Sequence, residues 1–116
     1  MKGATAIELK PRVVKGGERA LGPGKADLLE LIESTGSISA AARKLNMSYS
    51  RAWALVDAMN HAFKTPLVEA APGGKAGGGA RVTDTGRVVV KRYRVMQAKL
   101  EKHAAPFIDE FAALLR

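Results

Sequence analysis

Residues 36 to 63, GSISAAARKLNMSYSRAWALVDAMNHAF, restrict the fold more than any other segment, because two helical patterns of different phase meet there with only Asn46 and Met47 between them. Ser37 and Ser39 are each able to cap a first, short helix by accepting a hydrogen bond from a free backbone N–H. Ala40, Ala41 and Ala42 are good helix formers that let another backbone approach closely, and Leu45 fills the interior. Asn46 and Met47 then break the pattern, and Ser48 restarts a helix in a new direction as its N-cap. Along this second helix Ala52, Val56, Met59 and Phe63 recur at 4, 3 and 4 residues, one buried stripe. Tyr49, Ser50, Arg51, Trp53 and Ala54 are thereby turned wholly or partly outward. This is the spacing a helix-turn-helix needs to lay its second helix in a DNA groove.

The flanking segments complete a recognisable order of elements. Ile7, Leu9 and Val13-Val14, broken by Pro11 and followed by Gly16-Gly17, read as an edge strand returning through a shorter strand near Arg19 to Leu21. Gly22-Pro23-Gly24 leads into a helix over Lys25 to Ser34, with Pro23 suited to its first turn, Leu28, Leu29, Leu31 and Ile32 on its apolar side, and Gly36 ending it. After Phe63, Leu67 to Ala71 and Ala80 to Thr83 read as two short strands around a glycine-rich tip, a wing.

Thr83 or Asp84 can cap the last helical stretch, where Val89, Tyr93, Met96, Leu100 and His103 recur as a heptad seam. After Pro106 a second apolar stripe follows at Phe107, Ile108, Phe111, Leu114 and Leu115. That is more apolar surface than one small domain easily covers. Two copies are therefore expected to pair through Val89, Tyr93, Met96, Leu100, Phe107, Phe111 and Leu114, with packing against the first helix as the competing account. The expected fold class is mainly α with a small β-hairpin and a wing. It is a single winged helix-turn-helix domain over 1–116, with the helix-turn-helix at about 37–63, the wing at about 66–83 and dimerisation helices at about 84–115.

Charge points the same way. The formal net charge is +8, yet residues 1–35 carry six basic and five acidic side chains and residues 95–116 carry three of each. Residues 36–94 hold ten basic side chains against Asp57, Glu69 and Asp84, so nearly all the excess lies on the half with the helix-turn-helix. Such a face is the footprint of phosphate neutralisation, the bland alternative being a solvated surface that keeps a small protein soluble.

Other classes are harder to build. The chain has no cysteine, hence no disulfide framework, thiolate metal site or cysteine nucleophile, and its compartment is expected to be reducing. Its first twenty residues lack the apolar core of a signal peptide, and no apolar run approaches the roughly 20 residues a bilayer requires, so a cytoplasmic location without membrane contact is expected. The Asn46-Met47-Ser48 sequon reads as a turn followed by a cap. Pro72 to Gly79 is not a phosphate-binding loop, because Gly74-Lys75 is followed by Ala76 and then a strand. His61 and His103 lack acidic or sulfur partners at metal spacing, and neither a Ser-His-Asp arrangement nor a carboxylate pair can be assembled. No enzymatic activity, metal, cofactor or small-molecule ligand is expected on this chain.

Several local patterns carry a resemblance: Gly36-Ser37-Ile38-Ser39, Ser48-Tyr49 with Ala52-Trp53, Met59-Asn60, Leu67-Val68-Glu69, and Gly73-Gly74-Lys75-Ala76-Gly77-Gly78-Gly79-Ala80 with Thr83 and Gly86. In these the chain resembles the N-terminal DNA-binding domain of the ModE-type molybdate-responsive transcription regulators, related to the LysR-type winged helices. The match runs across almost the whole chain. The resemblance implies a winged-helix fold, a homodimer joined through its terminal helices, and transcriptional control at an operator with two-fold symmetry. Family members that sense molybdate do so through C-terminal oxyanion-binding domains, which are not among these 116 residues. Regulation without a small-molecule signal, sensing by a partner, and a longer parent chain all remain open.

On this reading double-stranded DNA is the partner. Tyr49, Ser50 and Arg51 enter the major groove, Arg51 pairing with a guanine edge. Lys64, Lys75 and Arg81 take phosphates, with backbone N–H groups of the wing such as Gly77 beside them. Ser37, Ser39 and Ser48 join the interface at the helix starts. Trp53, beside the buried stripe, either wedges between helix and wing or leans on the sugar-phosphate backbone. The rival readings are a non-specific architectural DNA binder and a protein-interaction module on a winged-helix scaffold.

Overall fold

Local chemistry sets the element boundaries in the computed structural model, which describes residues 3–72 and 79–116. Gly16 and Gly17 both sit at positive φ, 59° and 82°, as a two-residue primed hairpin turn requires, and join β1 (Val13–Lys15) to β2 (Glu18–Leu21). The first strand begins at Val13 rather than at Ile7, since Pro11 has no N–H for a ladder and the pairing shifts register between Val13 and Val14. Helix α1 (Pro23–Thr35) starts on Pro23 and ends at Gly36, which adopts a left-handed φ of 72° and returns its N–H to the Ile32 carbonyl.

Ser37, not Ser39, caps α2 (Ile38–Lys44): its Oγ accepts from the Ala40 N–H at 3.1 Å. Asn46, at a φ of 55°, turns the chain between the helices in a conformation Asn tolerates better than most residues. Ser48 then caps α3 (Tyr49–Ala62), accepting from the Arg51 N–H at 3.1 Å. Strands β3 (Val68–Ala71) and β4 (Gly79–Val82) pair antiparallel from Val68 opposite Val82 to Ala71 opposite Gly79. The Ala80 N–H donates to the Gly36 carbonyl at 2.9 Å, which ties β4 to the turn between α1 and α2.

Leu28, Leu29 and Ile32 of α1, Ala41 and Ala42 of α2, and Ala52, Val56 and Met59 of α3 form one buried cluster with Leu67, Val68, Ala80 and Val82. The small side chains of α2 let it lie close to both neighbouring helices, and of the stripe read from α3 Ala52, Val56 and Met59 are buried while Phe63, at the C-cap, is only half-buried. Helix α4 (Asp84–Ala112) begins on Thr83, whose hydroxyl accepts from the Gly86 N–H and donates to the Pro66 carbonyl at 2.7 Å. Gly86 allows that approach, because a Cβ there would overlap the Leu67 carbonyl and a methyl of Val82.

Two expectations for this helix need correction. It is one continuous element through Pro106 rather than a pair of helices, although the proline leaves the Lys102 carbonyl without its usual N–H partner. Tyr93 does not belong to an outward seam: it is 2% exposed, part of the chain's own core, and its hydroxyl donates to the Pro11 carbonyl at 2.8 Å. Val89 and Met96 are half-buried against the same core. From Leu100 onward the same helical face carries Phe107 and Phe111, and Leu114 follows in the turn past the helix end, all exposed, Leu114 at 83%. Arg94 fastens the buried half, reaching Asp27 at 2.6 Å and Glu30 at 2.6 Å on α1 and Gln97 at 2.8 Å on its own helix. Those hydrogen bonds to two carboxylates hold its pKa above the ordinary arginine value.

Candidate nucleic-acid interface

Helix α3 is anchored along Ala52, Val56 and Met59, so its opposite side is open at Ser50, Arg51, Ala54 and His61. Ser50 and Arg51 stand at its N-terminal end, where the first backbone N–H groups add partial positive charge. The Arg51 side chain is exposed, and none of the ion pairs among the described residues uses it. Ser48 Oγ is occupied by its capping bond and lies 3.3 Å from Ser50 Oγ.

Tyr49 and Trp53, one turn apart, occupy the flank of α3 that faces the wing and are 54% and 48% exposed. With Ile38, Val68, Ala70 and Ala80 they line a furrow of about 340 Å³ between the helix and the β3–β4 hairpin. Trp53 is thus neither wholly packed nor wholly free. Ser39 lies at the same furrow, its Oγ 3.4 Å from Arg43 Nη1.

The angle between helix and wing rests on Asn60. Its Oδ1 accepts from the Leu67 N–H at 2.8 Å and the Val68 N–H at 3.1 Å, and its Nδ2 donates to the Val68 carbonyl at 3.0 Å. One amide therefore pins the start of β3 to the last turns of α3. Asp57 and His61 mark the far end of the open face, with His61 Nδ1 2.8 Å from the Asp57 carbonyl oxygen and 3.5 Å from its Oδ1.

The basic residues expected at phosphates are placed unequally. Lys64 is exposed just past the end of α3. Arg81 lies directly across the wing ladder from Glu69, and its Nε donates to Glu69 Oε1 at 2.8 Å. Lys75 and Gly77 lie outside the described residues. Ser37 is half-buried with its oxygen engaged as a cap. Arg43 and Lys44, exposed in the last turn of α2, add two charges beside the recognition surface that motif spacing alone did not single out.

No helix among the described residues is long and apolar enough to cross a membrane. A solved structure, ArgP from Mycobacterium tuberculosis, is similar in fold, with a TM-score of 0.52 at 21% identity over 75% of this chain and 30% of that one. The chain is also similar to the molybdenum-pterin-binding protein MopB of Rhodobacter capsulatus, 46% identical over 75% of this chain and 32% of MopB. It is 42% identical to the molybdenum transport protein ModE of Azotobacter vinelandii over 71% of this chain and 30% of that protein. With the DNA-binding transcriptional dual regulator ModE of Escherichia coli (strain K12) it shares 36% identity over 79% of this chain and 35% of the regulator. The chain spans about a third of the length of these curated relatives. The model of bacterial regulatory helix-turn-helix proteins of the lysR family matches residues 26–87, and the chain belongs to that family.

Proposed function

We propose that this chain is the DNA-binding part of a sequence-specific transcriptional regulator that acts as a homodimer. The observation that carries the reading is the open N-terminal half of α3, with Ser50 and Arg51 exposed at a helix start beside a hairpin wing and Arg51 in no ion pair among the described residues. Helix α3 enters the major groove, Arg51 reads a guanine edge, and the wing rests on the backbone. Lys64 and Lys75 neutralise phosphates, with Arg43 and Lys44 beside them, and Arg81, paired through Nε with Glu69, reaches a phosphate only with the rest of its guanidinium.

Pairing uses the far half of α4. The face that supplies Val89, Tyr93 and Met96 to the chain's own core continues outward as Leu100, Phe107 and Phe111, with Leu114 just past the helix end, and all four are exposed among the described residues. A second copy laid on that face covers the apolar surface of both and relates the two recognition helices by a two-fold axis. The molybdenum-pterin binding of the Rhodobacter capsulatus relative MopB is assigned to no residue here.

The test is selection of genomic fragments by the purified chain at near-physiological salt. The expected result is enrichment of a two-fold symmetric motif with half-sites about one helical turn apart. Retention without enrichment contradicts sequence specificity, and absence of retention contradicts DNA binding.

A further inference from the structure

The furrow between α3 and the wing is left without a role when only the outward face of the helix and the basic charges are considered. Its walls mix apolar side chains with Ser39, Asp57, Asn60 and Glu69, and Tyr49 and Trp53 stay half exposed along it. Among the described residues the hydrogen bonds of this region run through Ser39, Ser48, Asp57, Asn60 and Glu69, and none uses the Tyr49 hydroxyl or the Trp53 indole N–H. Two flat apolar bodies, each with one unspent donor, thus stand side by side on a surface.

We propose that the furrow seats the sugar-phosphate backbone of one DNA strand. A deoxyribose lies against the rings of Tyr49 and Trp53, and adjacent phosphate oxygens accept from Trp53 Nε1, the Tyr49 hydroxyl and the Ser39 hydroxyl. The proposal rests on the DNA-binding reading above. A helix in the major groove and a hairpin on the neighbouring backbone straddle a single strand, and the furrow is where that strand crosses. Alternating sugar carbon and phosphate oxygen suits a side chain with an apolar body and a polar tip. Phosphate and sugar contacts fix the register of a protein on a duplex without reading sequence. Two carboxylates line the furrow, Glu69, which is held by Arg81, and Asp57, whose Oδ1 lies 3.5 Å from His61 Nδ1, while residues 36–94 as a whole carry ten basic side chains against three acidic ones, an excess of the sign a phosphate needs.

Trp53 is the chain's one tryptophan, so indole fluorescence reports on this furrow alone. Duplex binding is followed independently by the anisotropy of a dye on the DNA. At saturation the indole emission is expected to change and to become protected from acrylamide. Trp53→Ala is expected to weaken selected and random duplexes alike by roughly tenfold. It leaves the dependence of log affinity on log salt unaltered, because an indole displaces no counterion. Trp53→Phe, which keeps a ring and loses the donor, falls between the two.

Unchanged emission and quencher access with DNA fully bound would overturn the proposal and leave the DNA-binding reading standing. So would a loss confined to the selected sequence, which would put the ring on a base edge. Failure of the unaltered chain to bind any duplex at low salt would remove both.

Discussion

Replacing Asn60 with Ala removes three hydrogen bonds at once while taking away few atoms. The Leu67 and Val68 N–H groups lose the Oδ1 acceptor, and the Val68 carbonyl loses the Nδ2 donor. Each such bond contributes about 1 kcal/mol net, with roughly 0.5 kcal/mol of spread. Leu67 and Val68 are buried, whereas Asn60 is only half-buried, so water replaces part of what is lost and the expected cost is about 2–4 kcal/mol. For a chain of this size that lowers the melting midpoint by roughly 8–16 °C. Urea unfolding is the direct assay, and the midpoint should fall with the slope unchanged, since the surface exposed on unfolding is the same. Asn60→Asp is the control: it keeps the acceptor for both N–H groups and sets a carboxylate oxygen against the Val68 carbonyl, for an intermediate loss. A shift below about 0.5 kcal/mol in Asn60→Ala would refute the assignment of the wing's anchorage to this one amide.

Four further outcomes are expected. Arg51→Ala should reduce discrimination between the selected motif and random duplex by about 1–3 kcal/mol in competition binding, and a preserved ratio would remove Arg51 from base reading. Leu100→Lys with Phe111→Lys should convert a dimer to a monomer in sedimentation without lowering the melting midpoint of the monomer, because both side chains project beyond the core. Gly86→Ala should cost about 2 kcal/mol despite the gain in helix propensity, since the added carbon meets the backbone of Leu67, and unaltered thermal stability would contradict the close approach. Burial pushes the Tyr93 phenol above its ordinary value of 10.0, so the unfolded chain ionises first. The stability this group supports is complete below that pH and is lost as the pH rises through and beyond it, more steeply than in Tyr93→Phe.

Features decided by a residue and its near neighbours were legible in the sequence. Pro23, Gly36, Ser48 and Thr83 stand where the expected helix starts and stops put them, because a cap or a left-handed turn is settled within three or four residues. The stripe of Ala52, Val56 and Met59 was equally plain, since a 3.6-residue period states which side is apolar. The same period does not state what covers that side. Tyr93 and Leu100 lie on one face of α4, and only tertiary packing, the core beside Tyr93 with the Pro11 carbonyl at its hydroxyl, separates core from projection. Asn60 went unread as an anchor because its partners are seven and eight residues away, past the end of its helix. The Glu69 and Arg81 pair depended on wing register, which alternation in two four-residue strands leaves weakly marked.

Helix α4 carries a mechanical consequence. Its near half is keyed into the core by Tyr93 and bolted to α1 by Arg94, while its far half projects along the same face without a break. Such a rod cannot be twisted about its axis at the far end and stay in place at the near end, because rotation would drag Tyr93 from its socket and part Arg94 from Asp27 and Glu30. Torque applied to the projecting half is transmitted whole to the block that holds α3, so orientation, more than distance, is what this helix conveys.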